Sequence, residues 1–179
     1  MRNKSIQCNI TEINTGDILL VSGRKWLARA IQFFEKNKWN HAAVFIWLYD
    51  ELFVCESDKR GISLTKFSDY ISGKAGLMYC SPKIKDDKLH PVRLASVMLP
   101  KCGHVPYDFV NLLFYQPIRF MFGKWIGRKQ SKSDKRFICG EWCAYVYNKL
   151  DYKYFPNWNK IAPVDIFNDD KFDRFLIRE

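Results

Sequence analysis

The sequence contains no uninterrupted apolar run of membrane-spanning length. Its most apolar stretch, Tyr107 to Ile126, is broken by Asn111, Gln116, Pro117, Arg119 and Lys124, whereas a span takes about 20 mostly apolar residues in a row. A buried helix, or a flap over a site, is the expectation there. The N-terminal "MRNKSIQCNITEINTGDILLV" lacks the apolar core of a signal peptide, which gives the expectation of a cytoplasmic protein. The cysteines, at positions 8, 55, 80, 102, 139 and 143, are irregularly spaced, so reduced thiols are expected rather than a disulfide framework. Only Cys139 and Cys143 lie close together, and their i, i+4 spacing suits one helix face better than a zinc knuckle. Neither a metal nor a cofactor is expected. Internal repeats and domain linkers are absent, and a length of 179 residues fits one well-cored domain over residues 1–179.

Hydrophobic residues make up 47% and charged residues 27% of the chain, which excludes a disordered polypeptide and makes a packed fold the default. The net charge of +10 favours phosphate, an anionic membrane surface or an acidic substrate as a partner, without choosing among them. The densest basic cluster, "GKWIGRKQSKSDKR" from Gly123 to Arg136, has the Ser and Gln content of a solvated loop.

"GDILLVS" reads as a short buried strand. After it, Ser22 is placed to cap a helix on which Trp26, Leu27, Ala30, Ile31 and Phe34 recur at helical spacing; this predicts packing through the Trp26/Phe34 face. "HAAVFIWLYDELFVCES" is rich in β-branched and aromatic residues around a polar centre and predicts a hairpin. A strand end and short helix follow at "LTKFSDYI", then a strand at "GLMYCSPK" and a helix over "PVRLASVMLPKC". A late helix begins near Cys139, with Cys139, Cys143, Val146, Tyr147 and Leu150 on one face. The tail "NWNKIAPVDIFNDDKFDRFLIRE" reads as an extended closing segment with a turn at Pro163.

A cysteine hydrolase needs a nucleophilic sulfur, a base, a group that orients the base, and donors for an oxyanion. The chain offers only three histidines. His90 stands in a polar surface stretch and His104 in a loop. His41 opens a strand and is followed by small Ala42 and Ala43, which leave room beside an imidazole; it also fits a strand-end histidine satisfied by one backbone bond. Glu56 follows the apolar "LFVC", where an unpaired carboxylate is costly, although it also fits a strand end in solvent. If Leu48–Glu51 is the hairpin connection, Trp47 pairs with Leu52 and Ala43 with Glu56. His41 and Glu56 are then diagonal neighbours on one face, and a slip of one residue separates them.

Cys139 stands at the expected start of a helix, where backbone N–H groups and the positive dipole end favour a thiolate and can receive an oxyanion. Gly140 permits close approach of a substrate carbonyl, and Glu141 suits a helix start. A buried structural thiol is the alternative for any of the cysteines.

With "GDILLV", "WNHAAVF", "VCES", "VPYDF", "ICGEWCAYVY" and "APVDIF" in this order, the chain resembles the circularly permuted NlpC/P60 papain-like proteins, in particular the YiiX/YaeF-like group. The resemblance covers roughly Gly16 to Phe167. It implies an α+β fold in which an antiparallel sheet or half-barrel packs against helices. It further implies His41 as base, Glu56 as its orienting partner and Cys139 as nucleophile, with histidine and third residue preceding the cysteine. Two positions depart from the family pattern: Ser57 replaces a small apolar residue, and Gly140 replaces the serine after the cysteine. Tyr107 matches the family's Tyr-Asp motif and would line the pocket, with Asp108 supporting its loop.

Three function classes follow. The first is a cysteine hydrolase of amidase or peptidase type, forming an acyl-enzyme on Cys139 with a peptide- or acyl-containing substrate. The second is a lipid acyltransferase or esterase working at an anionic membrane surface, suited by "FVNLLFYQPIRFMF" beside a basic run. The third is a non-catalytic binding module; nucleic acid would suit the charge and the 16% aromatic content, but no specific nucleic-acid motif is present.

Overall fold

The continuous apolar run of "HAAVFIWL" and the apolar centre of "ELFVCESD" pair as two strands buried on both faces, and the rest of the sheet grows from that hairpin. The computed structural model describes residues 9–83, 89–109, 116–122, 135–150 and 154–179. Cys8, residues 110–115 and most of the basic run 123–136 lie outside the described residues. Strands β1 (Ile18–Ser22), β2 (His41–Leu48), β3 (Glu51–Asp58), β4 (Gly61–Lys66), β5 (Gly76–Pro82) and β6 (Phe172–Arg178) form one open sheet in the order β4-β3-β2-β1-β5-β6. Every adjacent pair is antiparallel. The helices are α1 (Trp26–Glu35), α2 (Phe67–Ser72), α3 (Pro91–Met98), α4 (Gln116–Phe122), α5 (Cys139–Lys149) and α6 (Pro163–Asn168). The architecture is therefore mixed α+β, with an open antiparallel sheet packed against helices. Among the described residues no helix is long and apolar enough to cross a membrane.

Strand alternation sorts the core into two clusters. Ile18, Leu20, Val44, Ile46, Cys55 and Cys80 face the side covered by α3 and α5. Leu19, Phe45, Val54, Leu77 and Tyr79 face the other side, closed by Ile13, by Phe67 at the start of α2 and by Ile177. Helix α5 is buried all round from Cys139 to Tyr147. It is tied to the sheet by Trp142 Nε1–H donating to Cys55 O at 3.2 Å and to the β1 entry by Tyr147 O–H donating to Gly16 O at 2.5 Å.

The hairpin register is the one that a connection centred on Tyr49 and Asp50 implies: Trp47 opposes Leu52 and Ala43 opposes Glu56. Its connection is tighter than four residues. Leu48 and Glu51 are already paired, which leaves Tyr49 and Asp50 as the turn and holds Tyr49 at φ 47°.

Several local expectations are corrected. Ser22 does not cap α1; it belongs to β1, and Lys25 takes the cap position without a side-chain bond. Nor does α1 pack by its aromatic face, since Trp26 is 79% and Phe33 77% exposed. The buried face carries Ala28, Gln32 and Glu35 instead. Gln32 Nε2–H donates to Gly23 O at 3.0 Å and to Lys38 O at 2.8 Å, so polar partners fix the helix orientation.

The segment around "LTKFSDYI" continues as strand β4 to Lys66 before α2 begins. In the 107–126 stretch the described part is no buried helix, because Phe109, Met121 and Phe122 are exposed. The C-terminal tail is not simply extended: Pro163 opens α6, the first-turn position that a missing N–H suits, and β6 then adds an edge strand to β5.

Candidate active site

The sheet brings His41 and Glu56 to one place. His41 is the first residue of β2, two positions before Ala43, and Ala43 opposes Glu56 on β3. Period-two alternation therefore puts both side chains on the same face. The imidazole Nε2 meets Glu56 Oε2 at 2.8 Å. Glu56 does not end β3 in solvent: the strand runs on to Asp58, and Glu56 is only 3% exposed.

A buried carboxylate must be satisfied, and this one is. Thr65 Oγ1–H donates to Oε1 and Tyr70 O–H to Oε2, each at 2.5 Å, while Arg60 reaches Oε1 at 3.4 Å. Burial alone would raise the Glu56 pKa, but the hydrogen bond and charge of His41, with hydrogen bonds from Thr65 and Tyr70, hold it down at about 2. Burial would lower His41. Hydrogen bonds with Cys139 and Glu56 outweigh that and raise it to about 10.

Cys139 is the first residue of α5 and is 6% exposed. Glu56 engages Nε2 of the His41 ring, which leaves Nδ1 free of that contact. Cys139 is near enough to that ring to help raise the histidine's pKa. The position of α5 that makes this possible is set next to the cysteine. Ser57, which follows Glu56 but points to the opposite face, donates its hydroxyl to Phe137 O at 2.9 Å. Asp108 N–H donates to the same carbonyl at 3.0 Å. The first bond inside α5 runs from Trp142 N–H to Ile138 O, so the N–H groups of Cys139 and Gly140 precede the helical ladder. Glu141 accepts from Ile138 N–H at 3.4 Å and supports the helix start.

Gly140 has a packing reason to be glycine. A Cβ there would lie 2.5 Å from Ile161 O and 2.9 Å from Ala162 Cα, so the missing side chain makes room for the chain's own backbone. Tyr107 bridges to Phe137. Its phenol is pushed up by burial and by the charges of Cys139 and Glu141, which sets it beside the start of α5. The other histidines lie elsewhere: exposed His90 caps α3, its Nδ1 accepting Val92 N–H at 3.3 Å, and His104 is exposed in its loop.

Thr65, Tyr70 and Arg60 were not singled out by the sequence. For Thr65 a signal exists, since β4 pairs it with Val54 on the face that carries Glu56. Tyr70 reaches Glu56 from α2 through tertiary packing that no periodicity encodes. A cleft of about 630 Å³ opens on His41 and Glu56, walled by Arg24, Lys25, Asn40, Tyr70 and Lys74 among others.

No family model matches the sequence, and no curated protein matches it by sequence. Its fold, however, is similar to a solved one. The crystal structure of metalloprotein YiiX from Escherichia coli O157:H7 (DUF1105) superposes with a TM-score of 0.57 at 16% identity, over 93% of this chain and 97% of that one. In that description "metalloprotein" refers to YiiX. Here no group of three or more His, Cys, Asp or Glu side chains among the described residues is arranged to hold a metal ion. The likeness makes the fold YiiX-like.

Proposed function

We propose that the chain is a cysteine-dependent hydrolase of amidase or peptidase type, a circularly permuted NlpC/P60-like papain relative in which His41 and Glu56 precede the nucleophile Cys139. One observation carries the reading: a single imidazole is held at 2.8 Å by a buried carboxylate, and the cysteine that opens α5 is near enough to help hold its proton. A cysteine beside an imidazolium is the setting in which sulfur acts as a nucleophile.

In the proposed cycle the Cys139 sulfur attacks the substrate carbonyl carbon, and the carbonyl electron pair moves onto oxygen. Backbone N–H groups at the α5 start receive that oxyanion. His41 gives its proton to the leaving amine or alkoxide, the C–N or C–O bond breaks, and an acyl-enzyme remains. His41 then takes a proton from water as the water attacks the thioester, and the sulfur leaves with its electron pair. Glu56 stays ionised and keeps the imidazole oriented.

Acyl transfer from a lipid is the second reading, favoured by the aromatic face of α1 that adjoins the cleft. A binding module without chemistry accounts for the buried His41–Glu56 pair only as a stabilising contact and not for the influence of Cys139 on it.

The test is trapping the acyl-enzyme. The protein is incubated with an activated ester and with acyl phospholipid, quenched in acid and digested. An acyl group mapped to Cys139, and lost in His41→Ala, is the expected result; unmodified Cys139 with every donor contradicts the proposal. The donor that labels distinguishes the two enzymatic readings.

A further inference from the structure

Helix α1 is packed inside out relative to its hydrophobicity. Its buried face carries Ala28, Gln32 and Glu35, while Trp26 and Phe33 stand 79% and 77% exposed. These two aromatics are seven residues apart, two helical turns or about 10 Å, and so lie on one face. Arg29, exposed between them, shares that face. Phe34 and, on the adjoining α4, Met121 and Phe122 extend the apolar surface, and a hollow between the helices is lined by Phe33, Phe34, Lys36 and Met121. Soluble proteins rarely leave such contiguous apolar patches uncovered without an interaction that uses them.

The charges around the patch say what covers it. Arg24, Lys25, Arg29 and Lys36 are all exposed, and no ion pair among the described residues involves them. The nearest carboxylate on the helix, Glu35, is turned inward and buried. A second copy of the same face would bring four like charges against four. An acyl boundary under anionic headgroups accepts both features at once, since aromatic rings settle at the interface and cations above them meet phosphate.

We propose that the α1 face, centred on Trp26 and Phe33 and ringed by Arg24, Lys25, Arg29 and Lys36, docks on an anionic lipid bilayer. Arg24, Lys25 and Ala28 also line the cleft that opens on His41. Docking therefore sets the mouth of that cleft against the membrane surface. The proposal stands apart from the chemistry at Cys139 and survives if no acyl-enzyme forms.

The experiment is flotation of the whole chain with phosphatidylcholine vesicles, with and without phosphatidylserine, at low and high salt. Binding to the anionic vesicles that weakens with salt is expected. Trp26→Ser/Phe33→Ser is expected to weaken it at least about tenfold. Arg24→Gln/Lys25→Gln/Arg29→Gln is expected to weaken it on the order of a hundredfold, from about fivefold per cation. These side chains are exposed, so circular dichroism of both variants should match the parent. No flotation, or flotation indifferent to both variants, overturns the proposal. So does light scattering that shows a dimer dissociated by Trp26→Ser/Phe33→Ser, which would assign the face to a second copy.

Discussion

His41 Nε2 and Glu56 Oε2 lie 2.8 Å apart on neighbouring strands, two register positions off a direct pair. Against burial, Cys139 and this contact together raise the His41 pKa to about 10.

Glu56→Gln separates the electrostatic part of this contact from the geometric part. The amide keeps the shape but not the charge, so His41 should titrate well below its native value by NMR, and alkylation of Cys139 should slow on the order of a hundredfold. An unchanged His41 titration would remove Glu56 from its role.

The same pair predicts a stability profile against pH. The Glu56 pKa falls from 4.5 to about 2 on folding, so its contribution is present above 4.5 and is lost as pH drops through 2. The His41 pKa rises from 6.5 to about 10, so its contribution is full below 6.5 and is lost as pH climbs through 10. Urea unfolding should show the largest gap between the native protein and His41→Ala/Glu56→Gln between those two windows, from 4.5 to 6.5.

Tyr70→Phe removes one donor from a buried carboxylate. Hydrogen bonds to charged groups contribute about 1.5–3 kcal/mol, and a loss of that order is expected in denaturant unfolding. If Tyr70 positions Glu56 rather than merely packing, the His41 titration should shift in the same variant.

Glu35 is buried at the end of α1, and its pKa is raised to about 8, first by burial and then by Asp165, against the opposing charge of Arg119. Its Oε2 has no hydrogen-bond partner among the described residues. The folded state therefore keeps a proton that the unfolded chain releases near 4.5. Stability is full below that pH and falls as pH rises through 8. Glu35→Gln should flatten this slope and exceed the parent at high pH on the order of 2 kcal/mol, measured by urea unfolding in acidic and alkaline buffer.

Gly140→Ala places a Cβ 2.5 Å from Ile161 O. Overpacking of this kind costs about 1–3 kcal/mol. Because the start of α5 must move to relieve it, slower Cys139 alkylation should accompany the lost stability.

The hairpin and its register were legible because the polar "YDE" between two apolar runs centres the turn, which sets Ala43 opposite Glu56, and a slip of one residue would have parted His41 from Glu56. The start of α5 at Cys139 was legible because a dense apolar run begins there after a basic loop, although the helix is buried all round rather than on one face. The face of α1 was misread because Gln32 and Glu35 find polar partners inside the fold, and periodicity counts them as surface. Tyr70 was invisible as a Glu56 donor because its role depends on how α2 folds back on β3, whereas Thr65 was missed because strand β4 runs on to Lys66, past the point where a helix was expected.

The most direct measurement is the iodoacetamide alkylation rate of each cysteine against pH, mapped by mass spectrometry in the native protein and in His41→Ala. Cys139 should label faster than the other cysteines below neutral pH, and the mutation should abolish that advantage. Slow labelling of Cys139, indifferent to His41, would contradict the account at its centre.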